Sequence, residues 1–469
     1  MDYLIRFTQI HESFRKPETD ALATLANIDL EWVFYSEESP FAIVRFPQPQ
    51  AKDSAAAARS LITRSILSYS IYELWGSGHD YPSLHADVRH RTSALWPQHC
   101  HSTFRFEVDA FQGSHTAAEH RDIIESFAYT GFHGPIRMRN PDNQFVVFEE
   151  YELDAPIPKW TCLGRLIAES GRKAINKYSL KKRSYIATTS MDAELSLVTA
   201  NLAHAADGKL CYDPFVGTGS FPLACAHFGA SVFGSDLDGR SIRGKKGRDV
   251  KGNFKQYGTS SLYLGGFVAD LTNTPLRRER FLDAILCDPP YGVREGLKVL
   301  GSNKPSLQEE VLLADGQPAH LAASYLPPKK VYSFTRMLGD ILDFSAIMLV
   351  DDGRLCMWMP VAGATATDEE DDTDATEEYA VPQHPALEIV SECTQHFNKW
   401  SRRLLTYRRR HDSCVDGDAM LAYRAERLGL QSVNGVGTAD DLNSFRRKYF
   451  QGFLDPALPR KHEKLPHTY

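Results

Sequence analysis

Along residues 1–160, short apolar and aromatic runs alternate with stretches of helical spacing. YLIRFT at 3–8, WVFYS at 32–36, FAIVRF at 41–46 and SYSIYELW at 68–75 read as strands by their β-branched and aromatic content. Residues 19–28 and 51–62 read as helices. A second set follows: HSTFRFEVDAF at 101–111, a helix from about Thr116 to Phe127, and NQFVVFEEYEL at 143–153. This predicts an α+β region with no nucleotide-binding turn. From about residue 188 the rhythm becomes strand–helix–strand. A helix at 191–203 leads into KLCYDPFVGTGSF, then a helix at 222–229, a strand SVFGSDLD at 231–238, a basic helix and SLYLGGFVAD at 261–270. DAILCDPPYG at 283–292, a helix around 335–348 and RLCMWMP at 354–360 continue the alternation. LEIVSECTQHF and RRLLTYRRR are expected as a closing hairpin. Strands alternating with helices predict an α/β fold with a parallel sheet covered on both faces. Its ligand site is expected at the ends of the first strands.

The 469 residues are too many for one ordinary domain. With 42% hydrophobic and 24% charged residues, global disorder is excluded. No apolar stretch reaches membrane-spanning length, and the N-terminus is too polar for a secretory signal, so an intracellular, cytoplasmic protein is expected. The eight cysteines form no C-x-x-C pair, so no disulfide framework and no metal site are expected; His99-Cys100-His101 lacks further ligands at suitable spacing. The net charge of −7 is unevenly placed: residues 363–380 hold eight acids and no Lys or Arg, as expected of a solvated, disordered loop. Residues 159–183 hold eight basic residues against Glu169 alone, the kind of local basic face that polyanion binding requires. Arg402, Arg403, Arg408, Arg409 and Arg410 flank LLTY and either line an RNA groove or form the polar face of an edge hairpin.

Two motifs carry chemistry. Asp213-Pro-Phe-Val-Gly-Thr-Gly-Ser220 lies at a strand-to-helix turn, where Gly217 and Gly219 let a ligand approach the backbone. Asp236 ends the next strand, where an acid binds ribose hydroxyls, and Asp270 ends the third, where an acid can face an adenine amine. Pro222 replaces the third glycine of a dinucleotide fingerprint, and Asp213 would repel a pyrophosphate. S-adenosylmethionine has a ribose, an adenine and two cationic centres but no phosphate, so it suits three acids on successive strand ends; the alternative is that these acids are turn caps. Asp288-Pro289-Pro290-Tyr291 follows the apolar run 284–287. The amine of a nucleobase is a poor nucleophile because its lone pair is delocalised. A carboxylate and the Pro289 carbonyl accepting its two N–H groups would orient the nitrogen, two prolines would stiffen the turn, and Tyr291 would stack on the base. Direct methyl transfer then rests largely on positioning.

Together these motifs resemble those of the Rossmann-type amino-methyltransferases. YSLKKRSYIATTSMD at 178–192, CDPPYGVRE at 287–295 and SFRRKYFQGFLDP at 444–456 narrow the resemblance to the tRNA guanosine N2-methyltransferases acting at position 10 of tRNA. It covers most of residues 160–456 and implies the following layout. Residues 1–160 would form a ferredoxin-like plus THUMP RNA-binding region, 161–187 a basic linker, 188–456 a Rossmann-like class I methyltransferase domain interrupted by the acidic loop 363–380, and 457–469 a tail. The acidic insert is a departure from the family pattern. The resemblance assigns Asp213, Gly217, Thr218, Gly219, Asp236 and Asp270 to the methyl donor, with Thr189, Ser190 and Met191 closing over it. It assigns Asp288, Pro289, Pro290 and Tyr291 to the guanine. Lys181, Lys182, Arg183 and Arg294 are substrate candidates, Arg294 being equally consistent with a surface salt bridge. Enzymes of this family from eukaryotes work with a small zinc-containing activator. The uncharged, apolar strand expected at 261–268 would lie at a sheet edge and offer that partner a place to add a strand. An adenine-N6 or cytosine-N4 methyltransferase, or a catalytically silent RNA-binding subunit, are the competing readings.

Overall fold

The computed structural model describes residues 1–47, 53–293, 297–302, 304–305, 309–322, 325, 327–362, 380–397, 400–432, 443 and 445–446. The acidic run and the 457–469 tail, apart from Ala380, lie outside the described residues. The chain divides into two units, Met1–Ser179 and Leu180–Tyr469.

The first unit is a seven-stranded sheet: β1 (Asp2–Phe7), β2 (Glu31–Phe34), β3 (Phe41–Arg45), β4 (Ser68–Gly78), β5 (Phe104–Phe111), β6 (Asn143–Glu150) and β7 (Trp160–Glu169), in the order β2-β3-β1-β4-β7-β6-β5. All pairs are antiparallel except β5–β6. The helices Glu12–Leu25 and Ser54–Thr63 bury Leu22, Leu61 and Ile62 against Tyr3, Ile5, Phe7 and Ile71. The helix expected over 19–28 begins earlier, at Glu12, and carries Pro17 inside it. The helix Ala117–Glu125 starts where Thr116 caps it and Glu119 reciprocates, a capping box readable in the sequence.

Two elements depart from expectation. The helix Tyr81–Thr92 carries few apolar residues, yet it packs closely on β4 because Gly76 has no side chain. A Cβ at Gly76 would meet the Val88 backbone nitrogen at 2.7 Å. Residues 161–169, expected in a basic linker, belong to β7, which sits inside the sheet between β4 and β6. Its Thr161, Cys162 and Leu163 are buried, and Arg165 pairs with Glu73 at 2.8 Å.

The second unit has a main sheet of β8 (Leu210–Asp213), β9 (Ser231–Asp236), β10 (Tyr263–Val268), β11 (Leu282–Cys287), β14 (Leu349–Ala362), β15 (Leu387–His396) and β16 (Trp400–Arg409), ordered β10-β9-β8-β11-β14-β16-β15. A small ribbon, β12 (Lys298–Leu300) with β13 (Lys329–Val331), stands apart from it. β10, β9, β8, β11 and β14 are mutually parallel, whereas β16 and β15 form the antiparallel hairpin. The central strands β8 and β11 are short and mostly buried. The helix Ala193–Leu202 is buried along nearly its whole length and capped by Asp192, whose carboxylate accepts the Leu195 N–H. Tyr212, Ile285, Met357, Leu405 and Tyr407 are among the residues forming the core on one face, against the helix Phe334–Met348.

β10 occupies an edge. Its side chains alternate between partly buried and exposed, leaving Leu264 62% and Val268 52% exposed. The chain fills the sheet outward from β8 through β9 to β10, then crosses back to β11 on the other side of β8. This reversal opens a crevice between the carboxyl ends of β8 and β11.

Candidate functional site

That crevice is a cleft of about 610 Å³, lined by the ends of β8, β9 and β11, the segment 185–191 and parts of 298–299 and 332–340. Its first wall is the turn after β8. Gly217 and Gly219 have φ of +48° and +83°, a left-handed backbone that favours glycine. A Cβ on Gly219 would also come within 2.9 Å of Val250 Cγ1. Gly234 on β9 lets the turn lie flat: a Cβ there would meet Val216 at 2.7 Å.

The three strand-end acids share this wall, each held by backbone amides. Asp213 Oδ1 accepts the Phe215 N–H at 2.9 Å. Asp236 Oδ2 accepts the Gly217 N–H at 2.9 Å, and its Oδ1 accepts the Asp238 N–H at 2.8 Å. Asp270 Oδ1 accepts from the Thr272 N–H and hydroxyl, and its Oδ2 accepts the Leu300 N–H at 2.7 Å, which ties β12 to the cleft. Burial pushes the Asp213 carboxyl well above the usual range, against the Phe215 N–H, and the neighbouring Asp236 and Asp288 push it further. Burial raises Asp236 as well, opposed by its amide donors.

A second wall is the segment that precedes the helix Ala193–Leu202. Ser190 Oγ and Thr218 Oγ1 are 2.7 Å apart, and the Ser220 hydroxyl donates to the Met191 carbonyl at 3.1 Å. Asn253, fully buried, joins the two walls: its Nδ2 donates to the Tyr185 and Thr218 carbonyls while its Oδ1 accepts the Tyr185 N–H. Thr189, Ser190 and Met191 therefore line the cleft where expected. Arg183 does not face outward as a substrate contact would. It is buried and donates to Ser220 Oγ at 2.7 Å, bracing the start of the helix Ser220–His227. Lys181 and Lys182 are exposed. Arg294 lies outside the described residues.

Asp288 to Tyr291 line the same cleft as the turn after β8. The Tyr291 hydroxyl donates to Asp288 Oδ1. Its ring stands edge-on to Trp400 and Phe445, with centroids at 6.1 and 6.4 Å. Burial raises the Asp288 carboxyl above its ordinary range, with the phenol and the Arg402 charge pulling it back. The turn is held by two further residues: Asn443, not singled out in the sequence, and Arg446, which lies in the 444–456 stretch but was given no role there. Asn443 Nδ2 donates to the Tyr291 carbonyl at 2.9 Å and its Oδ1 accepts the Arg446 N–H. The Arg446 guanidinium donates to the carbonyls of Gly292 and Val293. Lys298, Tyr332, Met337 and Asp340 also line the cleft and were not anticipated.

The basic stretch 159–183 is largely engaged within the fold. Arg165 pairs with Glu73, Arg172 reaches the Ile66 carbonyl, Arg183 is buried, and Lys159 and Lys173 pair with Glu150 and Glu169. On the hairpin, Arg403 and Arg408 pair with Glu392 and Glu388 of β15, and Arg409 is buried against Asp351 and Asp412. Among the described residues, no cluster of three or more His, Cys, Asp or Glu is placed to hold a metal ion, and no helix is long and apolar enough to cross a membrane.

Residues 1–172 match the family model "Tmrp11 THUMP N-terminal domain", and residues 181–303 match "RMKL-like, methyltransferase domain". The chain is 41% identical to the tRNA (guanine(10)-N(2))-methyltransferase of Saccharomyces cerevisiae, over 96% of this chain and 99% of that protein. It is 37% identical to the protein of the same name from Schizosaccharomyces pombe, over 88% and 91% of the two chains. It is 33% identical to the human tRNA (guanine(10)-N(2))-methyltransferase TRMT11, over 96% and 95%.

Proposed function

The chain belongs to the tRNA (guanine(10)-N(2))-methyltransferase family, and we infer from its cleft that it transfers a methyl group from S-adenosylmethionine to the exocyclic N2 of the guanosine at position 10 of tRNA. The observation that carries this reading is the placement of Asp288-Pro289-Pro290-Tyr291 across one cleft from the turn 213–219 and the three strand-end acids.

The donor set fits S-adenosylmethionine. Asp213, buried and acidic, suits its cationic amino-acid end; Asp236 suits the ribose hydroxyls; Asp270 suits the adenine amine. Gly217, Thr218 and Gly219 allow close backbone approach, and Ser190 and Met191 cover the ligand from the second wall. The bound donor supplies an electrophilic methyl carbon. The chain supplies position. Asp288 accepts one N–H of the guanine amine and the Pro289 carbonyl accepts the other, which turns the nitrogen lone pair toward the methyl. As the N–C bond formed, the S–CH3 bond would break with its electron pair kept on sulfur as a neutral thioether, and the amine, made more acidic, would pass its proton to Asp288 and on to water. Pro289 and Pro290 keep the turn rigid, and Tyr291 holds one oxygen of Asp288 while its ring borders the base.

Residues 1–160, with β7 completing their sheet, present the tRNA. Lys181 and Lys182, exposed beyond this unit, add phosphate contacts. The enzyme works in the cytoplasm with a small zinc-containing activator that adds a strand beside β10. The uncharged edge with Leu264 and Val268 exposed supports this. The zinc belongs to that partner.

The test is nucleoside mass spectrometry of tRNA incubated with the chain, its activator and labelled donor. N2-methylguanosine at position 10, lost in Asp288→Ala, supports the reading. N6-methyladenosine, N4-methylcytidine or no product would overturn it.

A further inference from the structure

One arginine of the β16 run lies beside the catalytic turn and, among the described residues, forms no ion pair with β15. Arg402 stands opposite Pro360 of β14 and Gln395 of β15. β14 in turn adjoins β11, whose end carries Asp288. The guanidinium carbon sits 4.6 Å from the ring centre of buried Trp358 and 5.6 Å from that of Phe397. Its Nε donates to Gln395 Oε1 at 2.7 Å. These contacts fix its direction and leave the side chain 14% exposed. Nη1 comes within 3.9 Å of Asp288 Oδ2. Tyr291 donates to the other oxygen, so the carboxylate lies between a phenol and a guanidinium. Among the described residues, Asp288 is the one carboxylate within 4 Å of this guanidinium.

We propose that Arg402 is the positioning and charge partner of Asp288: it holds the carboxylate ionised and aimed so that it can accept the N–H of the guanine amine. This rests on the methyl-transfer reading above and adds a residue to it. The groups facing Asp288 explain why a partner is needed. Asp213 at the end of β8 is a second carboxyl whose neutral form burial favours, the Cys287 thiol is buried, and the Tyr291 phenol is held neutral by its surroundings. None of those three carries a positive charge; the phenol favours the Asp288 anion by donating to it, and Arg402 supplies the charge. A protonated Asp288 would donate rather than accept, and would leave the amine without its acceptor.

Asp288 works as the anion, so the rate falls as pH drops through its pKa. Removing an adjacent cation raises that pKa and moves the acid limb of the rate–pH profile to higher pH. An opposite charge at this separation shifts a carboxylate by about one unit, which is about tenfold in rate below the limb.

The experiment measures single-turnover methylation of tRNA against pH for the wild-type chain with its activator and for Arg402→Gln, Arg402→Lys and Asp288→Asn. Donor affinity and thermal unfolding serve as checks on folding. Expected for Arg402→Gln is an acid limb moved up by about one unit, with tRNA affinity within about threefold. Arg402→Lys keeps the charge, so its limb stays nearer wild type although its rate falls. A reduced rate with an unmoved limb in a folded Arg402→Gln would overturn the proposal, since that outcome reports packing alone. Weakened tRNA binding with a salt slope reduced by about one and an unmoved limb would also overturn it, in favour of a phosphate contact. Full activity of Asp288→Asn would instead remove the underlying reading, a result distinct from either.

Discussion

Replacing Asp236 by alanine tests how the cleft holds its donor. In the protein alone the carboxylate accepts two backbone amides, Gly217 N–H at 2.9 Å and Asp238 N–H at 2.8 Å. It therefore shapes the donor turn as well as offering its remaining lone pairs to a ribose. A hydrogen bond to a charged group contributes about 1.5–3 kcal/mol net, so losing the ribose contact raises the donor Kd about 10- to 150-fold. The two amides border the cleft and can be rehydrated, so their loss lowers stability by only about 1–2 kcal/mol in sum, a Tm decrease of several degrees. Calorimetric titration with S-adenosylmethionine reads the first number and thermal unfolding of the unliganded protein the second. Asp236→Asn should fall in the same direction, because its amide group meets a backbone donor. Asp288→Ala is the control and should leave the Kd within about threefold, since the proposed mechanism gives Asp288 to the base and not to the donor. A lowered Tm with unchanged donor Kd in Asp236→Ala would refute the reasoning and leave Asp236 as a turn cap.

Burial favours the neutral form of Asp213, whereas a bound cation requires the anion. Donor binding should therefore release a proton and strengthen as pH rises. Titrations in buffers of different ionisation enthalpy would show this, and binding with no proton release would count against Asp213 as the partner of a cationic group. Gly219→Ala places a side chain at φ +83° and against Val250, so it should cost about 1–2 kcal/mol of stability and weaken donor binding, read by unfolding and titration. Asn443→Ala frees the Tyr291 carbonyl and should lower kcat with little change in donor Kd; unchanged turnover would show that the turn holds itself. Leu264→Lys puts a charge on the exposed edge of β10 and should abolish co-purification of the activator. Undisturbed co-purification would place the partner elsewhere.

The strands β8, β9 and β11 were legible because each is a short apolar run closed by an acid or a turn. Leu210–Asp213, Ser231–Asp236 and Leu282–Cys287 fall where that pattern put them. The closing hairpin was legible for the same reason. The helix Tyr81–Thr92 was not, because its fit depends on Gly76 and Gly78 of another strand rather than on its own apolar spacing. β7 was read as part of a linker because its flanking charges outweighed its short buried run, and only the sheet supplies Glu73 to neutralise Arg165.

The same division runs through the site. Asp213, Asp236 and Asp270 are each held by amides from their own strand-end turn, from the adjacent loop or, for Asp270, from β12, so their positions follow from local chain geometry that a motif records. Arginines have no such local anchor. A count of charges along 159–183 treats all eight as available, but a guanidinium donates in several directions and finds acceptors wherever the fold brings them. Arg183 finds Ser220, 37 residues away. Arg402 reaches Asp288 because β16 lies beside β14 and β14 beside β11, an adjacency set by topology and absent from the spacing of the run. Asn253 is the neutral version of the same case: it joins Tyr185 to Thr218 through carbonyls, which carry no residue-specific signature. The acids that name the chemistry are therefore readable in the sequence, whereas the donors that orient and charge them are readable only once the strands are in order.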